Sequence, residues 1–340
     1  MIKLYRIIDA SSGYQNYLKI VGAYHHKSYE SIGLRKYVLK YSTELSYESV
    51  STLVKDKDGS SLLSDQRIQQ IVVETGEDIS LLQKQEIAKC KKRKPIGIDY
   101  TFDLYDPNIT EIEIYEDAIG VRGQKKVRDN SLKTNREWHY TDVVLLEQAD
   151  GTFKHIVPGL GLEMSAVFEM ELKKAYGLKR KSLPIVCFSD GATAIRDRMK
   201  EVLGKKVKII LDWYHLNKKI WGFMSMIAVN KEEKKEKSNL ILHHLWKGDL
   251  EKALTILSQV DSKNEDKQKD LINYLRKRES QIINYEKRKE LGKTIGSGRV
   301  EKACDVIIGM RQKGNAKSWS PKGSRALALV KMQLENTKMQ

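Results

Sequence analysis

Three acidic residues lie where the chain could hold metal ions. Asp117 ends the alternating stretch EIEIYED, and Asp190 follows the apolar stretch LPIVCF. Glu301 lies in the first turn of a basic helix that begins with GSGRVE. Acids just past the carboxyl ends of strands stand where α/β sheets place their chemistry, and carboxylate oxygens are the ligands that Mg²⁺ and Mn²⁺ prefer. The three residues therefore predict a site for two divalent cations that acts on a phosphodiester.

Each acid also fits an ordinary structural role. Asp117 fits a turn, and Asp190 fits a helix N-cap in the stretch SDGATAI. Glu301 fits a surface ion pair with the basic residues around it. Asp99, in GIDYTF, is an alternative first acid because it too follows a short apolar stretch. We prefer Asp117 because the strand before it is longer, although the residues alone leave both open.

Asp212 and His215 form a further candidate pair. They lie three residues apart in LDWYHL, directly after the apolar stretch VKIIL, so both can face the same side of a helix start. We expect them to support the site rather than to bind metal as primary ligands. A purely structural hydrogen bond between them is the alternative.

The net charge of the chain indicates what kind of molecule it binds. The chain of 340 residues has 61 Lys and Arg against 45 Asp and Glu, which gives a net charge of +16 and a pI near 9.4. A surplus of this size favours a polyanion, because each neutralised phosphate releases condensed counterions. Three widely separated cysteines fit a reducing compartment, and no apolar run reaches the length of a membrane span. We therefore expect a cytoplasmic, nucleoid-associated protein that does not contact a membrane.

The first 95 residues are predicted to be helical, with helices at 28–57, 64–75 and 80–89 and the basic segment KCKKRKP at 89–95 as a domain boundary. Ser46 and the pair Ser64-Asp65 are candidate N-terminal caps. Two short helices joined by the polar turn KDGS could form a helix-turn-helix. Its second helix carries four polar residues that could read DNA, namely Gln66, Arg67, Gln69 and Gln70.

After residue 96 the pattern becomes mixed. The stretches 111–117 and 119–128 are predicted to pair as a hairpin, and 141–148 is a further strand. Strands at 184–189 and 207–211 then alternate with helices at 162–176 and 192–203, a polar helical stretch fills 213–292, and a last helix is predicted at 297–311. This order predicts an α/β fold, a mixed sheet flanked by helices. The predicted division is an N-terminal helical region (1–95), a core (96–217 with 294–340) and a helical insertion (218–293).

Four stretches carry a resemblance to a known family. YEDAIGVRGQK, FSDGATAIRD, LDWYHLNKK and IGSGRVEKACDVIIGMRQKGNAKSW resemble blocks of bacterial insertion-sequence transposases, DDE enzymes distantly related to the Mutator-like group. They occur in the expected order, within about two-thirds of the chain, with the helical stretch before the last block. The resemblance implies a ribonuclease H-like core in which Asp117, Asp190 and Glu301 bind two Mg²⁺ or Mn²⁺ ions. Asp212 and His215 match the family's (Cys/Asp)-x-x-His signature.

The same resemblance implies an activity and partners. The protein would cleave double-stranded DNA at transposon ends and join the 3′ hydroxyls to target DNA, as a homodimer or larger assembly. The alternatives are a ribonuclease H-like nuclease or resolvase without strand transfer, and a catalytically decayed DNA-binding protein. Basic residues near the acids are expected to contact phosphates, and Trp213, Tyr214 and Trp319 could stack on an unpaired base or pack in the core. The expected DNA-contact set is Arg122, Lys125, Lys126, Arg128, Arg311, Lys313, Lys317 and Trp319.

Overall fold

A five-stranded mixed sheet forms the centre of the molecule. The computed structural model describes residues 30–125, 137–178 and 182–338, and the structural statements below concern these ranges. The strands are β1 (Ile112–Arg122), β2 (Trp138–Glu147), β3 (Phe153–Ile156), β4 (Ile185–Ser189) and β5 (Lys208–Leu211).

The order of the strands across the sheet is β3-β2-β1-β4-β5. β2 is antiparallel to both of its neighbours, β3 and β1, whereas β4 and β5 run parallel to β1. All five residues of β4 are buried, as expected for a parallel strand covered by helices on both faces. This is the strand order and direction of a ribonuclease H-like core, and it confirms the α/β fold class.

Helices surround the sheet. Those before it are α1 (Ile32–Ser42), α2 (Tyr47–Leu53) and α3 (Asp65–Cys90). Those between and after the strands are α4 (Met164–Tyr176), α5 (Thr193–Leu203), α6 (Trp213–Ile227), α7 (Lys231–Trp246), α8 (Leu250–Ser258), α9 (Glu265–Arg276), α10 (Tyr285–Glu290), α11 (Gly298–Cys304) and α12 (Pro321–Lys338). A π-helical turn (Asp305–Gly309) and a last turn (Met310–Gln312) extend α11.

The two faces of the sheet bury separate apolar layers. Ile114 and Cys187 face α4 and α5, in a layer that includes Phe168 and Met199. The opposite face carries Tyr115 and Phe188 and packs against α6, the insertion helices, α11 and α12. The predicted helical stretch 213–292 therefore shares a continuous core with the sheet. None of the helices in the described ranges is both long and apolar enough to cross a bilayer.

The predicted hairpin between 111–117 and 119–128 is wrong. β1 continues through Asp117 to Arg122, and its antiparallel partner is β2, with Asp117 opposite Val143 and Arg122 opposite Trp138. The chain does not turn because the inward alternation that starts at Tyr115 continues through two further buried residues, Ile119 and Val121. Lys126 and Arg128 lie outside the described residues.

The N-terminal helices also differ from their predicted bounds. The stretch 28–57 is broken at Thr43–Ser46, because Ser46 caps a new helix as predicted. The stretches 64–75 and 80–89 are one helix, α3, capped by Ser64 as predicted. Gly76, in the gap between the two predicted helices, packs closely: a Cβ there would lie 2.6 Å from the Cβ of Ala326 on α12.

The helix-turn-helix hypothesis gains little from this arrangement. α3 packs along α12, and its Gln83 donates to the carbonyl of Val157 and accepts from the amide of Gly159. Near its start, Arg67 forms ion pairs with Glu30 and Glu74, so its guanidinium is engaged within the protein. The three predicted glutamines beside it, Gln66, Gln69 and Gln70, are exposed.

Candidate active site

Asp117 and Asp190 extend from neighbouring parallel strands at the same level. Tyr115 of β1 pairs with Phe188 of β4, and their rings stack with centroids 4.8 Å apart. Each aspartate lies two residues beyond its ring, and side chains two residues apart share a face of a sheet. The pairing of β1 with β4 ends at this ring pair, so both acids lie where the sheet opens.

The other predicted first acid lies at the wrong end of β4. The amide of Asp99 donates to the carbonyl of Leu183, two residues before the strand begins, whereas Asp190 follows the strand's last residue. Seven residues of extended chain span roughly 23 Å. The carboxylate of Asp99 accepts hydrogen bonds from the amide and hydroxyl of Thr101, which lower its pKa. Asp99 is therefore a turn residue.

Asp212 connects three segments at the sheet edge. Its amide donates to Ser189 at the end of β4, and one carboxylate oxygen accepts from the amide of His215 at 2.6 Å, which caps α6. The other oxygen accepts from the amide of Ser297, directly before α11. Asp212 is buried, which by itself raises its pKa, but the hydrogen bonds from His215 and Ser297 outweigh burial and hold the pKa below its ordinary value. The ends of β4 and β5 are thus tied to the start of α11.

The glycine before Ser297 is required by this connection. A Cβ at Gly296 would lie 2.9 Å from the ring of Tyr214 and 3.1 Å from Oδ2 of Asp212. Contacts this short would push the segment away from α6. The GSG sequence therefore allows α11 to start close against the Asp212 carboxylate.

Glu301 lies one turn into α11, which packs on β1 and β2. Its Oε1 is 3.5 Å from Nδ1 of His215, which in turn lies 3.2 Å from Oδ1 of Asp212. Within the described ranges Nδ1 makes no well-aligned hydrogen bond, so these contacts act through electrostatics. The contact with Asp212 raises the pKa of His215, and the charges of Glu301 and Asp190 raise it further. The Glu301 side chain is 51% exposed and can move.

The pKa of Asp117 responds to the charges of the other two predicted acids. Burial is the main cause of the raised pKa of Asp117, and the negative charges of Asp190 and Glu301 add to it, while the Ala118 amide and His215 oppose it. Like charges interact this way only when they are close. Together with the pairing of Tyr115 with Phe188 and the 3.5 Å contact between Glu301 and His215, this places the three acids and His215 in one neighbourhood.

The cluster fits a hard divalent cation in its chemistry. Its donors are carboxylate oxygens, and a cation would relieve the repulsion that raises the pKa of Asp117. As the side chains stand, no three Asp, Glu, His or Cys side chains in the described ranges converge closely enough to hold an ion. Glu301 would have to swing away from His215 to join the two aspartates.

The helical insertion reaches into the Asp190 loop, which the sequence did not reveal. Arg278, just after α9, donates from Nε to the carbonyl of Gly191 at 2.9 Å and from Nη2 to the same oxygen. Its guanidinium also stacks on the ring of Tyr274, 3.9 Å from the centroid. Gly191 has a φ of +92°, and a Cβ there would lie 2.8 Å from both Arg278 and Tyr274. Only glycine fits beside Asp190 under this cover.

Tyr285 makes a second contact between the insertion and the sheet. Its buried hydroxyl donates to the carbonyl of Leu211 at the end of β5. The ring packs beside Trp246 and the half-buried Trp213. Trp213 therefore follows the core-packing alternative, whereas Tyr214 is 66% exposed.

Two of the predicted DNA contacts belong to the core. Trp319 is buried and donates from its indole to the carbonyl of Gln312, so its ring offers no face to a base. Arg311 is buried between the rings of Trp319 and Tyr47 and donates to the carbonyl of Ser42. Both predictions are corrected for the same reason: these side chains anchor α1 and α2 to the end of α11.

The remaining described members of the DNA-contact set lie nearer the surface. Arg122, Lys125 and Lys313 are exposed. Lys317 is partly buried, with Nζ donating to the carbonyl of Arg311 at 3.1 Å. Arg122, Lys313 and Lys317 line one cleft, which keeps them available for phosphates.

No family model and no curated protein matches this chain. Among solved structures, the Drosophila P element transposase strand transfer complex matches with a TM-score of 0.29 and 9% sequence identity, over 93% of this chain and 81% of that chain. A similarity this low carries no weight for function, which has to be argued from the residues themselves.

Proposed function

We propose that this protein is a metal-dependent transposase, which cleaves DNA at the ends of a mobile element and joins the freed 3′ hydroxyls to target DNA. The observation that carries the proposal is that Asp117 and Asp190 lie just past the last paired residues of β1 and β4, while Glu301 lies on the helix packed against β1. The resemblance of the four sequence blocks to insertion-sequence transposases supports it.

Asp117, Asp190 and Glu301 are the residues that would hold two Mg²⁺ or Mn²⁺ ions. Ions held there would supply activation of the attacking hydroxyl or water and stabilisation of the leaving oxygen. The chain supplies two ligands from the sheet and one, Glu301, from a helix whose start is fixed by Asp212. Glu301 is the adjustable ligand, because its carboxylate now rests against His215. His215 and Asp212 are positioning residues in this scheme.

DNA phosphates are the proposed partners of the exposed cations. Arg122, Lys125 and Lys313 lie on segments that continue from Asp117 and Glu301. Such contacts fix the register of a duplex without reading its sequence. Because two element ends have to be joined in one reaction, we propose that the active form on DNA is a dimer or a larger assembly.

The proposal is tested with the purified full chain and a plasmid that carries its gene with the genomic flanks. With Mg²⁺ present, we expect cleavage at the element ends and covalent joining of those ends to a second plasmid, detected by sequencing the junctions. Cleavage without junctions would favour the nuclease alternative. DNA binding without cleavage in Mg²⁺ or Mn²⁺ would favour the decayed protein.

Arg278→Ala is expected to slow this cleavage by about 10- to 100-fold, the range found when a group that orients a metal ligand is lost. The reason is that the Gly191 carbonyl loses both donors and the Asp190 loop loses its fixed position. The measurement is the single-turnover cleavage rate as a function of Mg²⁺ concentration, which should show a raised Mg²⁺ requirement.

Arg276→Ala is the matched control, because Arg276 lies two residues earlier and its exposed guanidinium pairs with Glu251 on the insertion surface. It should cleave at the wild-type rate. The ammonium of Arg278→Lys can donate one hydrogen bond to the Gly191 carbonyl where the guanidinium donates two. Its cleavage rate should therefore lie between those of Arg278→Ala and Arg276→Ala. Equal rates for Arg278→Ala and Arg276→Ala would show that the insertion does not position Asp190.

A further inference from the structure

Two aromatic rings lie bare on the face of the sheet opposite Asp117. Trp138 is 54% exposed and Tyr140 is 67% exposed. They are two residues apart on β2, opposite Arg122 and Gly120 of β1, so all four positions share one face. Asp117 pairs with Val143 and faces the other side. The rings lie on the part of β1 and β2 that extends past the end of β4.

Gly120 brings the two rings together. A Cβ at this position would lie 3.0 Å from the ring of Tyr140 and 3.4 Å from the ring of Trp138. Both rings therefore lie across the glycine and form one aromatic surface. We call Trp138 and Tyr140 the aromatic platform.

Clefts flank the platform on two sides, and Trp138 lines both. One cleft has a volume of about 360 Å³ and includes Arg122, Lys313 and Lys317 in its lining, with no acidic side chain among the described residues that form it. The other has a volume of about 570 Å³ and includes Tyr140 and Glu163. On its wall Lys322 pairs with Glu77, and Arg325 donates to the carbonyls of Pro158 and Tyr140. The platform is thus an apolar surface bordered by cations.

We propose that the aromatic platform binds an unpaired stretch of DNA, with bases stacked on Trp138 and Tyr140 and phosphates held by the cations of the first cleft, Arg122, Lys313 and Lys317. Exposed rings beside a positive groove are how proteins bind single strands without sequence preference, because every base has a π face. Paired bases have those faces covered by their neighbours. A duplex can therefore use the cations but not the rings.

A second copy of the chain is the other occupant to consider. The fully buried centres of protein interfaces are depleted of charged residues, whereas this surface places Arg122 directly opposite Trp138 and lysines along the neighbouring cleft. A net charge of +16 also opposes association of two like surfaces. The observations favour a nucleic acid strand.

This inference rests on the proposed function for the kind of DNA that is bound. It can nevertheless be tested by a binding measurement that involves no cleavage. The probe is a fluorescein-labelled 20-nucleotide DNA oligonucleotide of mixed sequence, titrated without divalent metal at several salt concentrations. Trp138→Ala/Tyr140→Ala is expected to weaken binding by about tenfold or more, since each stacked base contributes appreciably. The slope of log K against log salt should stay unchanged, because no phosphate contact is lost.

Two further variants separate phosphate contacts from base stacking: Arg122→Ala removes a phosphate contact, and Trp138→Phe/Tyr140→Phe keeps both rings. Arg122→Ala should lower the slope by about 0.7, the change for one phosphate contact with a single strand. The double Phe variant keeps both rings and should bind within about twofold of wild type. Duplex DNA of the same sequence should bind the double Ala variant as tightly as it binds wild type.

Several results would overturn the proposal. The first is a double Ala variant that melts at the wild-type temperature and binds the oligonucleotide as tightly as wild type does. The second is a double Ala variant that loses as much affinity for duplex DNA as for the oligonucleotide. The third is RNA of the same sequence that binds more tightly than DNA and depends on the platform. A double Ala variant that changes only its oligomeric state in sedimentation would assign the surface to a second copy. Platform-dependent binding by a chain that fails to cleave DNA would uphold the platform and count against the transposase, so the two failures are distinct.

Discussion

Replacing Glu301 with glutamine is expected to abolish metal-dependent DNA cleavage while DNA binding is retained. The substitution keeps the size of the side chain and removes its charge, so the third proposed ligand can no longer balance a divalent cation. Metal ions contribute several kcal/mol to such a transition state, which corresponds to a loss of about a thousandfold or more. The measurement is single-turnover cleavage of the plasmid that carries the gene with its flanks, beside a DNA titration without metal.

The control for Glu301→Gln is Glu290→Gln, the same substitution at the exposed end of α10. It changes the net charge equally, so any general effect of charge on DNA binding appears in both variants. The fold should tolerate the substitution at Glu301, which is half exposed and contacts His215 without an aligned hydrogen bond. Cleavage by Glu301→Gln at the rate of Glu290→Gln would remove Glu301 from the proposed metal site.

Much of the sheet could be predicted from local pattern. The strands at 184–189 and 207–211 are short apolar runs, and the structure has them at Ile185–Ser189 and Lys208–Leu211. Because these strands are parallel, the residues after them meet at one edge. That rule led to Asp190 and Asp212, and the structure places both at the end of a strand.

The errors come from partners distant in sequence. The sequence did not predict that β1 continues beyond Asp117, because the strand pairs with β2 and not with the segment that follows it directly. Gly76 lies in the gap that was predicted between two helices, yet it is part of one helix and allows close contact with Ala326, 250 residues later. The residues around Trp319 left stacking on a base and core packing both open, and its neighbour in space, Tyr47, lies far away in sequence.

The site itself was half predictable. The acids have a chemical signal in their type and their place at strand ends, whereas Arg278 has none. Its role depends on the insertion folding back over Gly191, and the only local trace is a glycine after Asp190. Trp138 and Tyr140 alternate along β2 like core residues, yet they lie beyond the end of β4 and are exposed.

Arg288→Met is expected to destabilise the protein by about 3–5 kcal/mol, the cost of breaking a buried ion pair by removing one partner. Arg288, on α10, is fully buried and donates to both carboxylate oxygens of Glu111, at 2.9 and 2.5 Å. It also donates to the carbonyls of Leu104 and Thr294. The measurement is the free energy of unfolding from urea titration.

This ion pair connects the two parts of the chain that the proposed mechanism needs. Glu111 lies directly before β1, the strand of Asp117, and Arg288 belongs to the insertion that also carries Arg278. Arg276→Met is the matched control, since the same substitution there breaks an exposed pair with Glu251 and should cost less than about 1 kcal/mol. Adding Lys293→Met to Arg288→Met should increase the loss, because the buried carboxylate of Glu111 would then keep neither of its two cations. An Arg288→Met variant no less stable than Arg276→Met would mean that apolar packing, and not this pair, holds the insertion to the strand of Asp117.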